Sequence, residues 1–331
     1  MSSAFSRQEG VKQVCTILQR AGFFLYDLHN TRPSSFDLIA RRDSTLLLIK
    51  VLKNIDALGP EEANRLRTQA RLLHGTPLLV GHASGASSLT DGVLYSRYGI
   101  GIVTLTTLED FLWEGIPPFL FSSPGGIFAR LDSRRLRQAR EQRGLSLGAL
   151  ADVAGVSRRT IQLYEEGAGA EVDVVERLER FLGETLAAAL DPFTPQSPFR
   201  SRESEEEETV GAPSSPSPEG DWIREVFAQL DDQGWDVVVT TRSPFDALAR
   251  PEAAPREEVV LMGVGDLRSA ERRASLLGQI ARVAEGQAFF VVPERKTRTN
   301  IHGTPLVTYV EIRRRGGPEE LRELLSERAR S

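Results

Sequence analysis

Residues 145–167 read LSLGALADVAGVSRRTIQLYEEG, and the organisation of the chain is read outward from them. Ser146 precedes the apolar segment Leu147–Ala154, Gly155-Val156 interrupts it, and Ser157 opens a second segment, Arg158–Glu165. A serine before a helix accepts a hydrogen bond from a backbone N–H two or three residues on. A glycine just past a helix supplies the left-handed turn that ends it. Two short capped helices joined by a glycine turn make a helix-turn-helix pattern. A preceding helix is expected from Ser133 to Arg143, ended by Gly144, and a following one from Val172 to Leu182. Val172, Val175, Leu178 and Leu182 share one face of the latter. Ile161 should pack on Leu150 and Val153, and Tyr164 near the following helix. A second helix of this kind enters the DNA major groove by its N-terminal end. Ser157, Arg158, Arg159 and Thr160 stand where base and phosphate contacts belong, Gln162 lies one turn further, and Ser146 caps the supporting helix. Arginine suits guanine or phosphate, and glutamine suits adenine. The candidate DNA-binding residues are therefore Ser146, Ser157, Arg158, Arg159, Thr160 and Gln162, in a motif spanning about 146–165.

Charge supports this placement. The chain has 41 basic and 46 acidic side chains and a net charge of −5, so it is not basic as a whole. Between Arg130 and Tyr164, however, the arginines at 130, 134, 135, 137, 140, 143, 158 and 159 face only Asp132, Glu141 and Asp152. A basic module inside an acidic chain can still attract a polyanion. Lys12, Lys50, Lys53 and Lys296 are the only lysines, which reads as coding bias rather than function.

Two joints divide the chain. Asp191–Gly220 holds many serines and prolines and the run Glu205-Glu206-Glu207-Glu208, with few apolar residues. That composition indicates a disordered acidic linker. Ser122-Ser123-Pro124-Gly125-Gly126 is a turn cluster between two short strand-like segments. The expected domains are 1–125, 130–190 and 221–331, with the linker at 191–220. The first block opens with a helix, Arg7–Arg20, carrying Val11, Val14, Cys15 and Leu18 on one face. Strands follow at 23–26, 36–40 and 46–52, then a helix at 61–73, strands at 78–80 and 101–105, and a short helix at 107–113. Strands interleaved with helices indicate α/β architecture.

The third block repeats the first. Ile223, Val226, Phe227 and Leu230 have the spacing of Val11, Val14, Cys15 and Leu18, and Gly234-Trp235 matches Gly22-Phe23. PFDALAR (244–250) matches SFDLIAR (35–41), and an apolar strand follows each, at 259–265 and 46–52. The fold expected is α/β plus all-α: two restriction-endonuclease-like α/β domains, related by internal duplication, flanking a small helical bundle. Nucleases with this core hold magnesium on two acidic ligands and use a lysine against developing charge. Asp37 and Lys50 resemble one ligand and the lysine. The second ligand belongs two residues before the lysine, and Leu48 stands there. Asp43 and Glu9 do not restore it. In the repeat the lysine position falls near Gly263, leaving Asp246 alone. Asp37 and Lys50 are expected to persist as a vestigial ion pair that spares a buried lysine from standing unpaired. No catalytic residue, metal ligand or cofactor is assigned.

The 145–167 stretch resembles the cro/C1-type (XRE-like) helix-turn-helix family. Together with SFDLIARR (35–42), LLLIKVLKNID (46–56) and Ser-Pro-Gly-Gly (123–126), residues 7–190 resemble archaeal HTH-type transcriptional regulators with degenerate nuclease-like flanks. The resemblance implies a sequence-specific DNA-binding regulator of transcription, with double-stranded DNA as partner and no enzymatic activity. The family often has glutamine, touching phosphate, where this chain has Leu147. One such module reads few base pairs, so a homodimer or an intrachain pseudo-dimer is expected. The alternatives are a metal-dependent nuclease or junction-resolving enzyme, and an interaction scaffold that no longer binds DNA. No stretch of about 20 apolar residues spans a membrane. The N-terminus lacks an apolar signal core and Cys15 is the only cysteine, so a cytoplasmic location is expected.

Overall fold

The computed structural model describes residues 6–29, 31, 34–194, 218–251, 259–293 and 298–330. Most of the expected linker, 195–217, lies outside them. The N-terminal portion runs α1 (Arg7–Arg20), β1 (Phe24–Asp27), β2 (Leu38–Arg42), β3 (Thr45–Asn54), α2 (Pro60–Leu72), β4 (Thr76–Ser84), β5 (Ser87–Ser88), β6 (Val93–Arg97), β7 (Ile100–Val103) and α3 (Leu105–Glu109). A π-helical turn, Asp110–Glu114, extends α3. Next come the hairpin β8 (Leu120–Ser123) and β9 (Gly126–Ala129), then α4 (Ser133–Gln142), α5 (Leu147–Ala154), α6 (Arg158–Glu165), β10 (Ala170–Glu171) and α7 (Val172–Leu182). The C-terminal portion runs α8 (Pro218–Asp232), β11 (Trp235–Val239), β12 (Ala247–Pro251), β13 (Val260–Val264), α9 (Leu267–Ala284), β14 (Gln287–Val292), β15 (Asn300–Ile301), β16 (Thr304–Thr308), α10 (Tyr309–Arg313) and α11 (Pro318–Arg330). These are mixed α/β sheets with helices, plus a helix-turn-helix segment.

The chain clusters into two compact units, and the N-terminal portion contributes to both. The first unit holds α1, residues 51–57 and everything from 78 to 197. Its strands follow the order β4-β7-β6-β8-β9-β10, with β5 turned back onto β4. The β4–β7 pair is parallel, from Leu78↔Gly101 to Val80↔Val103, and β6 lies antiparallel to β7. Trp113, in the π-turn, donates its indole N–H to the Ile17 carbonyl (3.1 Å) and stacks under the Arg20 guanidinium. Ile17 is buried on α1, whereas Cys15, expected on the buried face, is only half-buried. At about 100° per residue, Cys15 lies roughly 100° from the centre of the arc that Gly10, Val11, Val14, Ile17 and Leu18 define.

The second unit holds residues 22–50, 58–77 and the C-terminal portion. Here β1 and β2 pair antiparallel, as do β2 and β3. The run Leu46–Ile49 of β3 is fully buried. A strand covered on both faces reads as continuously apolar rather than alternating. The C-terminal strands follow the order β11-β12-β13-β14-β16-β15. Helix α9 lies against β13 and β14, and also against β1 and β2. Arg41 on β2 and Glu285 at the end of α9 form an ion pair at 2.6 Å. Among the described residues no helix is long and apolar enough to cross a membrane.

Candidate nucleic-acid interface

Three helices of the central bundle, α4, α5 and α6, start on a capping side chain that the sequence supplies, whereas α7 starts without one. Ser146 Oγ accepts from the Ala149 N–H and Ser157 Oγ from the Thr160 N–H, both at 3.0 Å. Asp132 caps α4 through the Arg135 N–H at 3.0 Å. Gly155 ends α5 with φ +69°, in the left-handed region where a side chain is strained. The apolar residues of the four helices then close one core. Leu136, Ala139, Leu150, Ala151, Ala154, Ile161, Tyr164, Val174, Val175, Leu178 and Leu182 are all buried in it. Two expected members differ. Val153 is only half-buried, and Val172 is exposed while Val174 is buried in its stead.

With Ile161 and Tyr164 turned inward, α6 presents Arg158, Arg159, Gln162 and Leu163 to solvent. Ser157 is exposed and Thr160 half-buried, their hydroxyls sharing a hydrogen bond at 2.8 Å. Among the described residues the Arg158 guanidinium has no partner. Arg159 Nη1 stands 3.9 Å from Glu166 Oε1, and Gln162 Nε2 donates to the same oxygen at 3.0 Å. Leu163, an apolar side chain 38% exposed on this face, and Glu166 were missed by the sequence reading. Ser146 is exposed at the start of α5. The structure brings Ser157, Arg158, Arg159, Thr160 and Gln162 onto one helix, with Ser146 on its neighbour.

The local arginines divide into two groups. Arg140 is the innermost: its Nε and Nη2 grip the Glu165 carboxylate at 2.5 and 3.1 Å, and Nη1 reaches the Leu145 carbonyl at 3.0 Å. The hydrogen bonding to Glu165 is the first cause holding the Arg140 pKa above its usual value, against a smaller opposing effect of burial. Arg143 donates to the carbonyls of Phe181 (2.8 Å) and Leu182, which end α7. Arg135 donates to the Thr185 carbonyl at 2.9 Å. Arg143 thus satisfies the last carbonyls of α7, while Arg135 and Arg140 tie α4 to other parts of the bundle, so these three do not belong to a free cationic face. Arg137 pairs with Glu141 at 3.0 Å, and Arg130, Arg134, Arg158 and Arg159 remain exposed to solvent. Raising salt is expected to weaken DNA binding with a log–log slope of roughly −3 per chain, the counterion release of three or four phosphate contacts. Titration of one duplex across salt concentrations checks this, and a flat response would contradict it.

The bundle is joined to its sheet by backbone as well as side chains. β10, between α6 and α7, pairs with β9 through Ala170↔Ala129 and Glu171↔Phe128. After α7 the chain returns along the same edge. Asp132 donates to Leu186 O, Ala188 to Arg130 O and Leu190 to Pro118 O, each at 2.8 Å. Phe193 meets Phe111 of the π-turn edge-on.

The other singled-out residues lie in the second unit. Asp37 and Lys50 are both buried, but Lys50 Nζ pairs with Glu62 Oε1 on α2 at 2.8 Å. The ion pair expected between Asp37 and Lys50 is thus replaced, because the first turn of α2 delivers a carboxylate to the lysine. Asp37 donates its N–H to the Ile49 carbonyl at 2.8 Å and accepts from the Leu28 N–H at 2.7 Å. Among the described residues no cluster of three His, Cys, Asp or Glu could hold a metal.

Residues 7–118 match the PD-(D/E)XK superfamily domain and residues 136–188 a helix-turn-helix family. Three archaeal relatives carry the provisional name HTH-type transcriptional regulatory protein. That of Archaeoglobus fulgidus is 34% identical over 96% of this chain and 97% of its own. That of Methanosarcina mazei is 37% identical over 96% of each, and that of Halorubrum lacusprofundi 33% over 98% of each. The chain belongs to this family of HTH-type transcriptional regulatory proteins. A solved DNA nuclease of type III CRISPR defence, activated by cyclic oligoadenylate, aligns with 98% of this regulator and 77% of itself. Its 12% identity and TM-score of 0.23 are too low to bear on the fold.

Proposed function

We propose that this regulator reads DNA sequence directly, with the N-terminal part of α6 in the major groove and Ser157, Arg158, Arg159, Thr160 and Gln162 at base edges and phosphates. The observation that carries the reading is the two-sidedness of α6. Its inner face is locked into the bundle, and its outer face carries two arginines and a glutamine on an otherwise acidic chain. Ser146 sits beside it at the start of α5, where a backbone phosphate would pass. The reading fits a cytoplasmic protein.

The flanking α/β segments, about 1–125 and 221–331, serve in this reading as duplicated, non-catalytic scaffolds. Supporting duplication, each has an antiparallel trio, β1-β2-β3 or β11-β12-β13. Each also has a parallel pair, β4 with β7 or β14 with β16, and an antiparallel neighbour, β6 or β15. Asp246 donates its N–H to Met262 O and accepts from Thr240 N–H, the bonds that Asp37 makes to Ile49 and Leu28. The position of Lys50 thereby falls on Gly263, where a side chain would collide with Phe290.

Magnesium, which PD-(D/E)XK nucleases need, does not fit these residues. Leu48 is buried where the second ligand belongs, and Glu62 is committed to Lys50. In the second copy one Asp246 oxygen accepts from the Val264 N–H and the other pairs with Arg273, at 2.7 and 2.9 Å. Selection of bound duplexes from a random pool with magnesium present tests both halves. One enriched motif with intact strands is expected. Magnesium-dependent cleavage that vanishes in Asp37→Ala would establish a nuclease instead, and no retention at low salt would favour a scaffold.

Two-fold reading needs two copies of α6, whereas the α/β segments pair in cis, with α9 against β1 and β2 as the support. Sedimentation of the full chain is expected to give a monomer without DNA and two chains per duplex on an enriched site. A stable dimer without DNA would oppose pairing in cis.

A further inference from the structure

Glu166 is a carboxylate on the face that should meet a polyanion. By charge alone it costs affinity, so its position asks for another reason. At about 100° per residue, Arg158, Gln162, Glu166, Arg159 and Leu163 fall across one arc of roughly 140°, with Glu166 near its middle and Ile161 and Tyr164 opposite. Glu166 Oε1 accepts from Gln162 Nε2 at 3.0 Å and lies 3.9 Å from Arg159 Nη1. An ionised carboxylate only accepts, so it can be met by the amide NH2 of Gln162 and not by its oxygen. Gln162 is thereby held in one of its two amide orientations, with Oε1 free to accept and one N–H left to donate.

We infer that Glu166 is a positioning residue that fixes the amide of Gln162, so that α6 selects a base offering an exocyclic amine. In the major groove adenine presents an N6 amine beside the N7 acceptor, and cytosine an N4 amine. Guanine and thymine present keto oxygens. The held orientation accepts from an amine through Oε1. The flipped orientation, which would offer the NH2 to a keto oxygen, loses the bond to Glu166.

The inference rests on α6 being the reading helix, and the test separates the two. The probe is the tightest duplex enriched from a random pool, with every base pair substituted in turn. Gln162→Ala marks the position that Gln162 reads, by the preference lost there. At that position the native protein is expected to favour amine over keto bases about tenfold, the ratio that roughly 1.4 kcal/mol sets. Glu166→Ala should abolish the preference there and nowhere else while total affinity rises. Glu166→Lys, a donor that would hold Oε1 instead, should reverse it toward guanine or thymine. Both variants alter an exposed side chain, and an unchanged melting temperature shows the fold intact. If both keep the native preference at every position and only affinity rises, Glu166 is a spectator charge and the inference fails. If Gln162→Ala loses preference nowhere, it fails likewise. Indifference to Arg158→Ala and Arg159→Ala would sink the underlying reading of α6 instead.

Discussion

Arg140→Met is expected to destabilise the helix-turn-helix by about 3 kcal/mol, the low end for removing one partner of a buried ion pair. The side chains of Arg140 and Glu165 are 13% and 10% exposed, so the substitution leaves a nearly enclosed carboxylate without its cation. It also strips the Leu145 carbonyl of its donor, at the turn between α4 and α5. Since Glu165 is the last residue of α6, the pair pins that helix to α4, and DNA affinity should fall with stability. Urea unfolding followed by helical circular dichroism measures the first effect. Arg140→Met combined with Glu165→Met should recover most of the loss, because two packed apolar groups replace the pair without stranding a charge. A midpoint in Arg140→Met indistinguishable from the native protein's would show the pair to be ornamental.

Arg158→Ala and Arg159→Ala are each expected to weaken binding to an enriched site by about 1–3 kcal/mol without altering the fold. Both side chains are exposed at the start of α6, so no packing is lost. The effects should differ in size. Arg158 brings a guanidinium with no partner to lose among the described residues, whereas Arg159 must give up part of its attraction to Glu166. Arg158→Ala should therefore be the larger loss. Equal, native-like affinity in both variants would remove α6 from the interface.

What the sequence revealed about the bundle was the local part. Caps, glycine turns and helix lengths depend on neighbours two to four residues away, and Ser146, Gly155 and Ser157 do as their positions indicate. Facing was less legible where a single spacing rule was applied. Val172 fits an i, i+3 series, yet Val174, Val175, Leu178 and Leu182 centre the buried arc of α7 about 100° away from it. Partners distant in sequence were invisible. Nothing about Lys50 announces Glu62, and the arginine tally from 130 to 164 could not separate Arg140, tied to Glu165, from Arg158. The two-residue strand β10 exists only because β9 offers it an edge, so no composition signals it.

That small strand sets how tolerant the protein can be of its target. A reader on a loose tether can swivel to suit whatever sequence it finds. Here α6 is followed four residues later by β10, bonded to β9, and α7 by a segment bonded back to Arg130 and Pro118. The helix proposed to read DNA is thus held to its sheet by backbone pairing after α6 and again after α7. One added base pair between two half-sites turns one relative to the other by about 35°, a tenth or so of the 10–10.5 bp helical turn. A reader held in this way has little swivel with which to absorb that rotation. In the two-fold complex proposed above, each target should carry its half-sites at a single phase, and the spacer would be as much a part of the address as the letters on either side of it.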